Sequence, residues 1–303
     1  MPRITSPFFM LFTFIYLATS NVTAADNVKY QLKANFLRQS NNNINSTEID
    51  PVKDYFNEFN ASLQRKSDSM RLRLKFKGQQ YKQMTSNSNT NIEFQTAYKT
   101  KSKNDYSIAI NKQTYNGTST NTADDTSSDN FGIKANATYN YDLKNEQAYY
   151  IGLGASFKNY SKQSRKDKGL EFSAGYEKTI SDKWLVLLDF IWGKNLSSSD
   201  YYKNMNLLPM FNLIYMLNEN VEFSLGTILN HTRYDKRYAS LNATQNLNIL
   251  EKSTLMTLEL GTNITLSNMI LLQIKIASNR NSSNSYNASY KSQVFSLGLG
   301  LKL

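Results

Sequence analysis

The sequence contains no cysteine and only one histidine, His231. The lack of cysteine excludes disulfide bonds, thiolate metal sites, a cysteine nucleophile and a lipid anchor attached to cysteine. A lone histidine leaves little scope for a hydrolase, which needs a base held between a nucleophile and an orienting acid. We therefore predict that the protein is not an enzyme and that it holds no metal and no other cofactor.

Long apolar runs are also missing from the sequence. A transmembrane helix needs about 20 consecutive apolar residues, and the stretch from Phe8 to Ala18 is too short. This stretch follows Arg3 and precedes small residues at 22–25, which is the layout of a secretory signal peptide. We expect residues 1–25 to be removed and residues 26–303 to form a single domain.

Acidic residues are in deficit, because 24 Asp and Glu stand against 35 Lys and Arg, a net charge of +11. This surplus favours anionic partners, either solutes or the phosphates of lipopolysaccharide, and we expect no nucleic-acid partner. Basic residues cluster in two predicted loops, with Lys158, Lys162, Arg165, Lys166 and Lys168 in one and Arg233, Lys236 and Arg237 in the other. An ordinary solvated surface is the favoured interpretation of these clusters, and binding to the phosphates of lipopolysaccharide, the nearest anions, is the alternative.

What the sequence does contain is a strict alternation of apolar and polar residues. Between Met70 and Gly78, the even positions are apolar or glycine and the odd positions are Arg or Lys. A period of two is typical of a β-strand. The same reading places fourteen strands near 27–38, 55–65, 70–79, 91–100, 106–112, 131–141, 147–158, 170–178, 184–193, 204–216, 221–230, 254–266, 269–278 and 293–303.

The connections between these strands alternate in length. Short turns such as 217–220 and 267–268 separate longer connections that are rich in Asn, Ser, Thr and Lys, such as 113–130 and 231–252. Bacterial outer-membrane barrels place short turns in the periplasm and long loops outside. The pattern therefore predicts an all-β, antiparallel transmembrane β-barrel of about 14 strands in the bacterial outer membrane, with 12 or 16 strands as alternatives. On composition alone, a soluble secreted β-protein is also compatible.

Two further features favour a barrel. Trp184 and Trp192 lie on one face of a predicted strand, about 20 Å apart along the membrane normal, which fits two aromatic girdles. The last strand, with Gly298, Leu301 and Leu303, resembles the assembly signal of bacterial outer-membrane proteins. In those proteins the last residue is usually aromatic, and here it is leucine. The resemblance implies recognition by the barrel-assembly machinery.

If the apolar face contacts lipid, the basic side chains of the third strand point into the lumen, where they would guide anions. We name this set the basic ladder: Arg71, Arg73, Lys75 and Lys77. The alternative is that these cations are paired with carboxylates of neighbouring strands, such as Glu58 and Glu93, and only hold the wall together.

An apolar set interrupts the polar lumen on strands nine and ten. We name it the predicted constriction: Leu185, Leu187, Ile191 and Met210, with Leu208 and Ile214 beside them. Three explanations are open, namely a loop folded into the lumen, an apolar solute, or a register read one residue out. We favour the inserted loop, for which 113–130 or 231–252 is long enough.

These features together predict a porin-like outer-membrane channel. It would pass small hydrophilic solutes by passive diffusion, with some preference for anions, and would contact outer-membrane lipid and lipopolysaccharide. The alternative is a plugged barrel that acts as a surface receptor, adhesin or protein-assembly scaffold through its long extracellular loops.

Overall fold

The computed structural model describes residues 29–45, 52–67, 69–81, 88–100, 104–115, 129–143, 147–161, 165–241, 245–267, 269–285 and 288–302. The predicted signal peptide and Leu303 lie outside these residues. The strands are β1 (Lys29–Asn45), β2 (Val52–Lys66), β3 (Met70–Tyr81), β4 (Asn89–Lys99), β5 (Asp105–Tyr115), β6 (Asn130–Leu143), β7 (Gln147–Tyr160), β8 (Lys166–Ser181), β9 (Trp184–Ser197), β10 (Asn204–Asn218), β11 (Val221–Ser240), β12 (Asn246–Ser267), β13 (Ile270–Ser283) and β14 (Tyr290–Lys302).

Each strand pairs antiparallel with its neighbours in the sequence, and β1 pairs with β14 to close the sheet. The closing register runs from Lys33 opposite Lys302 to Asn45 opposite Tyr290. The predicted fold and strand number are therefore confirmed, and the alternatives of 12 and 16 strands are wrong. No helix in the described part of the chain is long and apolar enough to cross a membrane.

The two faces of the barrel wall differ in chemistry. On β7, Tyr149, Ile151 and Leu153 expose 43 to 63% of their surface, and large apolar side chains alternate outward in the same way on the other strands. The side chains between them face the lumen and are mainly polar. Because water is absent from a bilayer core, a closed sheet with this outer belt satisfies its backbone groups internally.

Many strands run further outward than their apolar pattern predicts. β12 begins at Asn246 and not near 254, and β13 ends at Ser283 and not near 278. Beyond the membrane both faces of a strand meet water, so the in/out alternation stops while the hydrogen-bonded ladder continues. Alternation therefore marks the lipid-facing part of a strand and misses its outer end.

The predicted loop at 231–252 is wrong for the same reason. β11 continues to Ser240 and β12 starts at Asn246, so most of this segment is a hairpin that extends the wall. A register shift between Arg233 and Tyr238 gives the hairpin a bulge, and Arg237 forms an ion pair with Glu251 across it at 2.7 Å. The described residues of this segment, 231–241 and 245–252, are part of the wall and do not fold into the lumen as an inserted loop.

The C-terminal strand packs tightly at the closing seam. Gly298 pairs with Leu37 of β1, and a Cβ atom at Gly298 would lie 2.4 Å from Cδ2 of Leu37. Leu301 pairs with Ala34 on one side and Ile270 on the other. The close approach gives Gly298 a packing role, while recognition of this strand by the assembly machinery stays a prediction.

Aromatic side chains gather on the outer face near the short turns. The ring of Trp184 lies 4.6 Å from that of Tyr215, and Tyr149 lies 5.0 Å from Tyr176. These rings lie beside the short turns, where the sequence predicts the periplasmic aromatic girdle, and the girdle role stays a prediction. Trp192 shares the outer face with Trp184, but β9 continues past it to Ser197, so it does not mark the strand end.

Candidate functional site: the lumen wall

The basic ladder lies on the lumen face of β3. Its half furthest from the short turn at 66–70, Lys75 and Lys77, is neutralised by carboxylates. Nζ of Lys75 lies 2.6 Å from Oε1 of Glu93, and Nζ of Lys77 lies 3.1 Å from Oε2 of Glu58. Glu93 is directly opposite Lys75 in the register of β3 and β4. The pairing alternative therefore describes these two lysines.

The half of the ladder nearest that turn, Arg71 and Arg73, has no carboxylate within ion-pair distance in the described residues. Nε and Nη2 of Arg73 donate to Oε1 of Gln64 at 3.0 and 2.7 Å, and Glu93, which is paired with Lys75, attracts this guanidinium only from beyond ion-pair distance. Nε of Arg71 is buried and has no hydrogen-bond partner among those residues. Both arginines lie close to the short turn at 66–70, hence near the predicted periplasmic mouth.

A second polar region lies on β6 to β9. Nζ of Lys134 lies 3.0 Å from Oε2 of Glu171, and the two residues line both of two neighbouring lumen cavities. The cavity nearer the short turns has a volume of about 250 Å³ and also reaches Arg71. The cavity nearer the long connections has a volume of about 340 Å³ and reaches Arg165. The ion pair thus stands between two solvent-sized spaces in the lumen.

Tyr150 organises the adjoining wall. Its ring covers Gly175, and its hydroxyl donates to Oδ1 of Asp189 at 2.5 Å. Gly175 pairs with both residues in the register, so the tyrosine spans β8 to reach β9. Alternation already places Tyr150 and Asp189 inward, but only the strand register shows that they meet.

The predicted constriction lies on the lumen face, but Asp189 and Asn212 interrupt it between two apolar pairs. Leu185 pairs with Ile214, Ile191 pairs with Leu208, and Met210 pairs with Ile228 of β11. Leu187 lies on the same face between Glu177 and Asn212. Asp189 shares this face and bonds to the lumen residue Tyr150, so a register read one residue out is excluded. Residues 116–128 of the other candidate loop lie outside the described residues.

The residues of the first basic cluster, for which lipopolysaccharide is the alternative target, have different surroundings in the fold. Cζ of Arg165 lies 3.5 Å from the ring centroid of Tyr202 and 4.2 Å from that of Tyr160. The guanidinium also pairs with the buried carboxylate of Asp167, so Arg165 is a fixed part of the outer mouth. Lys168 is exposed on the opposite, outer face. Lys162 lies outside the described residues.

His231 lies within β11 and not in a loop. Its Nδ1 lies 2.9 Å from Oγ1 of Thr254, the residue opposite it on β12. The described residues contain no group of three His, Cys, Asp or Glu side chains able to hold a metal ion. His231 and Thr254 thus form a cross-strand pair on the barrel wall, which gives the imidazole a structural role.

The same architecture occurs in solved structures. OprB of Pseudomonas putida is 8% identical, with 91% of this chain and 94% of that chain covered and a TM-score of 0.55. The chain has the fold of bacterial outer-membrane channels. TodX, a monoaromatic hydrocarbon channel, is 10% identical over 92% of this chain and 90% of its own, with a TM-score of 0.51. DcaP of Acinetobacter baumannii is 11% identical over 93% and 100%, with a TM-score of 0.50.

No family model matches the sequence, and no curated protein matches it either. At sequence identities of 8 to 11%, the likeness to these solved structures shows a shared fold and nothing about function. The lumen wall and the outer surface of this chain are therefore the features that bear on its function.

Proposed function

We propose that the protein is an outer-membrane channel through which small hydrophilic solutes diffuse passively, and that it performs no catalysis. The observation that carries this proposal is the lumen face, where polar side chains bond to one another around a closed ring of fourteen strands. A barrel of this size encloses more space than its inward side chains usually fill. The TodX and DcaP proteins, which share the fold, are described as channels.

The proposal includes a route to the membrane. A signal peptide over residues 1–25 would direct export, and the last strand with Gly298, Leu301 and Leu303 would be read by the barrel-assembly machinery. The long outer ends of the strands would then face the exterior, and the short turns the periplasm.

We further propose a modest preference for anions, and we assign it to Arg71 and Arg73. Lys75 and Lys77 each have a carboxylate within 3.1 Å, so their fields are largely cancelled at a distance. Neither arginine has a carboxylate within ion-pair distance among the described residues, and Arg71 lines a lumen cavity together with Asp105 and Glu171. An anion passing the predicted periplasmic mouth would therefore meet two arginines that no carboxylate neutralises by direct contact.

Planar-bilayer recording of the refolded mature chain under a salt gradient tests both statements. Steady single-channel steps support a channel, and a reversal potential on the anion side supports the preference. Arg71→Gln with Arg73→Gln should move the reversal potential towards cations. The matched control, Lys75→Gln with Glu93→Gln, removes an ion pair without changing the net charge and should leave it unchanged.

A second candidate function is that of a surface receptor, adhesin or assembly scaffold, and the length of one hairpin favours it. A membrane-crossing strand needs about 9 to 11 residues, whereas β11 has 20 and β12 has 22. The surplus projects beyond the membrane as an ordered ribbon. Silence in the bilayer from a chain shown to be folded would favour this second function over the channel.

A further inference from the structure

The outer face of the barrel carries almost exclusively positive charge near its extracellular edge. Among the outward-facing residues of the described strands, Asp235 is the sole acidic one, and it pairs with Lys194 at 2.6 Å. On the last four strands, outside the bulge between Arg233 and Tyr238, the outward-facing cations are four exposed residues, which we name the outer cation band: Arg233, Lys252, Arg280 and Lys291.

The register places these cations in two like-charged pairs. Arg233 lies directly opposite Lys252, and Arg280 lies directly opposite Lys291. Like charges directly opposite each other on one face of a sheet destabilise it. None of the four side chains has a carboxylate within ion-pair distance in the described part of the chain. An anionic ligand shared by each pair would remove this repulsion.

The height of the band identifies where that ligand lies. A strand tilted by about 40° rises about 2.5 Å per residue along the membrane normal. Arg280 therefore lies about 25 Å above the start of β13, at the outer edge of an apolar band about 25 Å tall. By the same rise per residue, Arg233 lies about 30 Å above the start of β11, which is the level of lipid headgroups.

Directly below the cations lies one polar pair on each side, His231 with Thr254 and Ser278 with Gln293, and below these the outer face is apolar. Leu229 pairs with Met256 beneath the first pair, and Ile276 pairs with Phe295 beneath the second. These four side chains expose between 37 and 53% of their surface. Charge above and an apolar wall below match an amphiphile with phosphate at the headgroup and acyl chains beneath it.

We propose that the outer cation band binds the phosphate groups of a phosphorylated glycolipid of the outer leaflet, the lipid A part of lipopolysaccharide. This inference rests on the outer-membrane location in the proposed function, but not on an open pore. The guanidinium groups of Arg233 and Arg280 donate to phosphate oxygens, and each opposing lysine adds a second charge. The acyl chains lie against the apolar wall beneath.

The test is native mass spectrometry of the folded, detergent-solubilised barrel, titrated with bis-phosphorylated lipid A and, separately, with the same lipid after phosphate removal. Wild type should retain the phosphorylated lipid more strongly. Arg233→Gln with Lys252→Gln should weaken retention about tenfold, the equivalent of one lost charge-assisted contact. Arg280→Gln with Lys291→Gln should do the same, and retention should fall as salt rises.

The matched control is Arg65→Gln with Lys178→Gln, which removes two outward cations near the periplasmic ends of β2 and β8. Its lipid retention should equal that of wild type. Equal retention by the Arg233/Lys252 variant and wild type would overturn the proposal, and so would equal retention of the two lipids by wild type. A folded barrel migrates differently in a denaturing gel before and after heating. A variant that lacks this shift has not folded.

Conductance of the same samples keeps the two proposals apart. Selective lipid binding by a barrel that does not conduct would remove the channel and leave this inference in place. A conducting barrel that does not distinguish the two lipids would do the reverse.

Discussion

The ring of Tyr150 covers Gly175 on the lumen wall. A Cβ atom at position 175 would lie 2.0 Å from Cε1 of Tyr150 and 2.7 Å from Oδ1 of Asp189. The glycine thus leaves the space through which the tyrosine hydroxyl reaches Asp189, two strands away.

Gly175→Val should displace this ring and destabilise the barrel by about 1 to 3 kcal/mol, the usual cost of overpacking a filled site. The measurement is the urea midpoint of unfolding in lipid vesicles. Gly193→Val is the control, because a Cβ atom there meets nothing closer than the Leu170 carbonyl at 3.9 Å. An equal loss of stability in both variants would contradict the account of Gly175.

The Lys134–Glu171 pair should set selectivity in both directions. Glu171→Gln leaves the lysine uncompensated between the two cavities, so the reversal potential should move towards anions. Lys134→Gln should move it towards cations, and the double variant should return close to wild type. Shifts of the same sign in the two single variants would mean that the pair does not face the permeating ions.

The two tryptophans should report the two edges of the apolar band. In Trp192→Phe the remaining Trp184 should be quenched most by lipids labelled near the headgroup, because it lies beside Tyr215 near a short turn. Trp184→Phe should give the same result from the opposite leaflet, since Trp192 lies about 20 Å further along the normal. Strongest quenching by a label at the bilayer centre would exclude the girdle position for that residue.

The carboxyl group of Asp200, between β9 and β10, has a lowered pKa that can be measured by titration. Hydrogen bonds from Lys203 and Lys236 lower the pKa of Asp200 to about 2, against an ordinary 3.8. Because the folded pKa is lowered, the stabilisation by these contacts is fully present above pH 3.8 and is lost as the pH falls through about 2. Carbon NMR of the labelled carboxyl group should show this titration, and Lys236→Gln should raise the midpoint. A midpoint near 3.8 in wild type would exclude the contacts.

The sequence by itself determined the strands and their faces. Alternation is a local property, since every second side chain of a strand must meet lipid, and it gave the positions of all fourteen strands and the inward placement of the basic ladder. It ended where the membrane ended, however, and therefore missed the outer part of β12 and the hairpin between His231 and Lys252.

Only the tertiary structure decided which residues meet across strands. That Lys75 is neutralised by Glu93 while Arg71 is not depends on the register of separate strands, which no local pattern records. The opposition of Arg233 and Lys252 has the same origin. Alternation fixes which face of the wall a side chain occupies, whereas its partner is fixed by hydrogen bonding between strands that are distant in sequence.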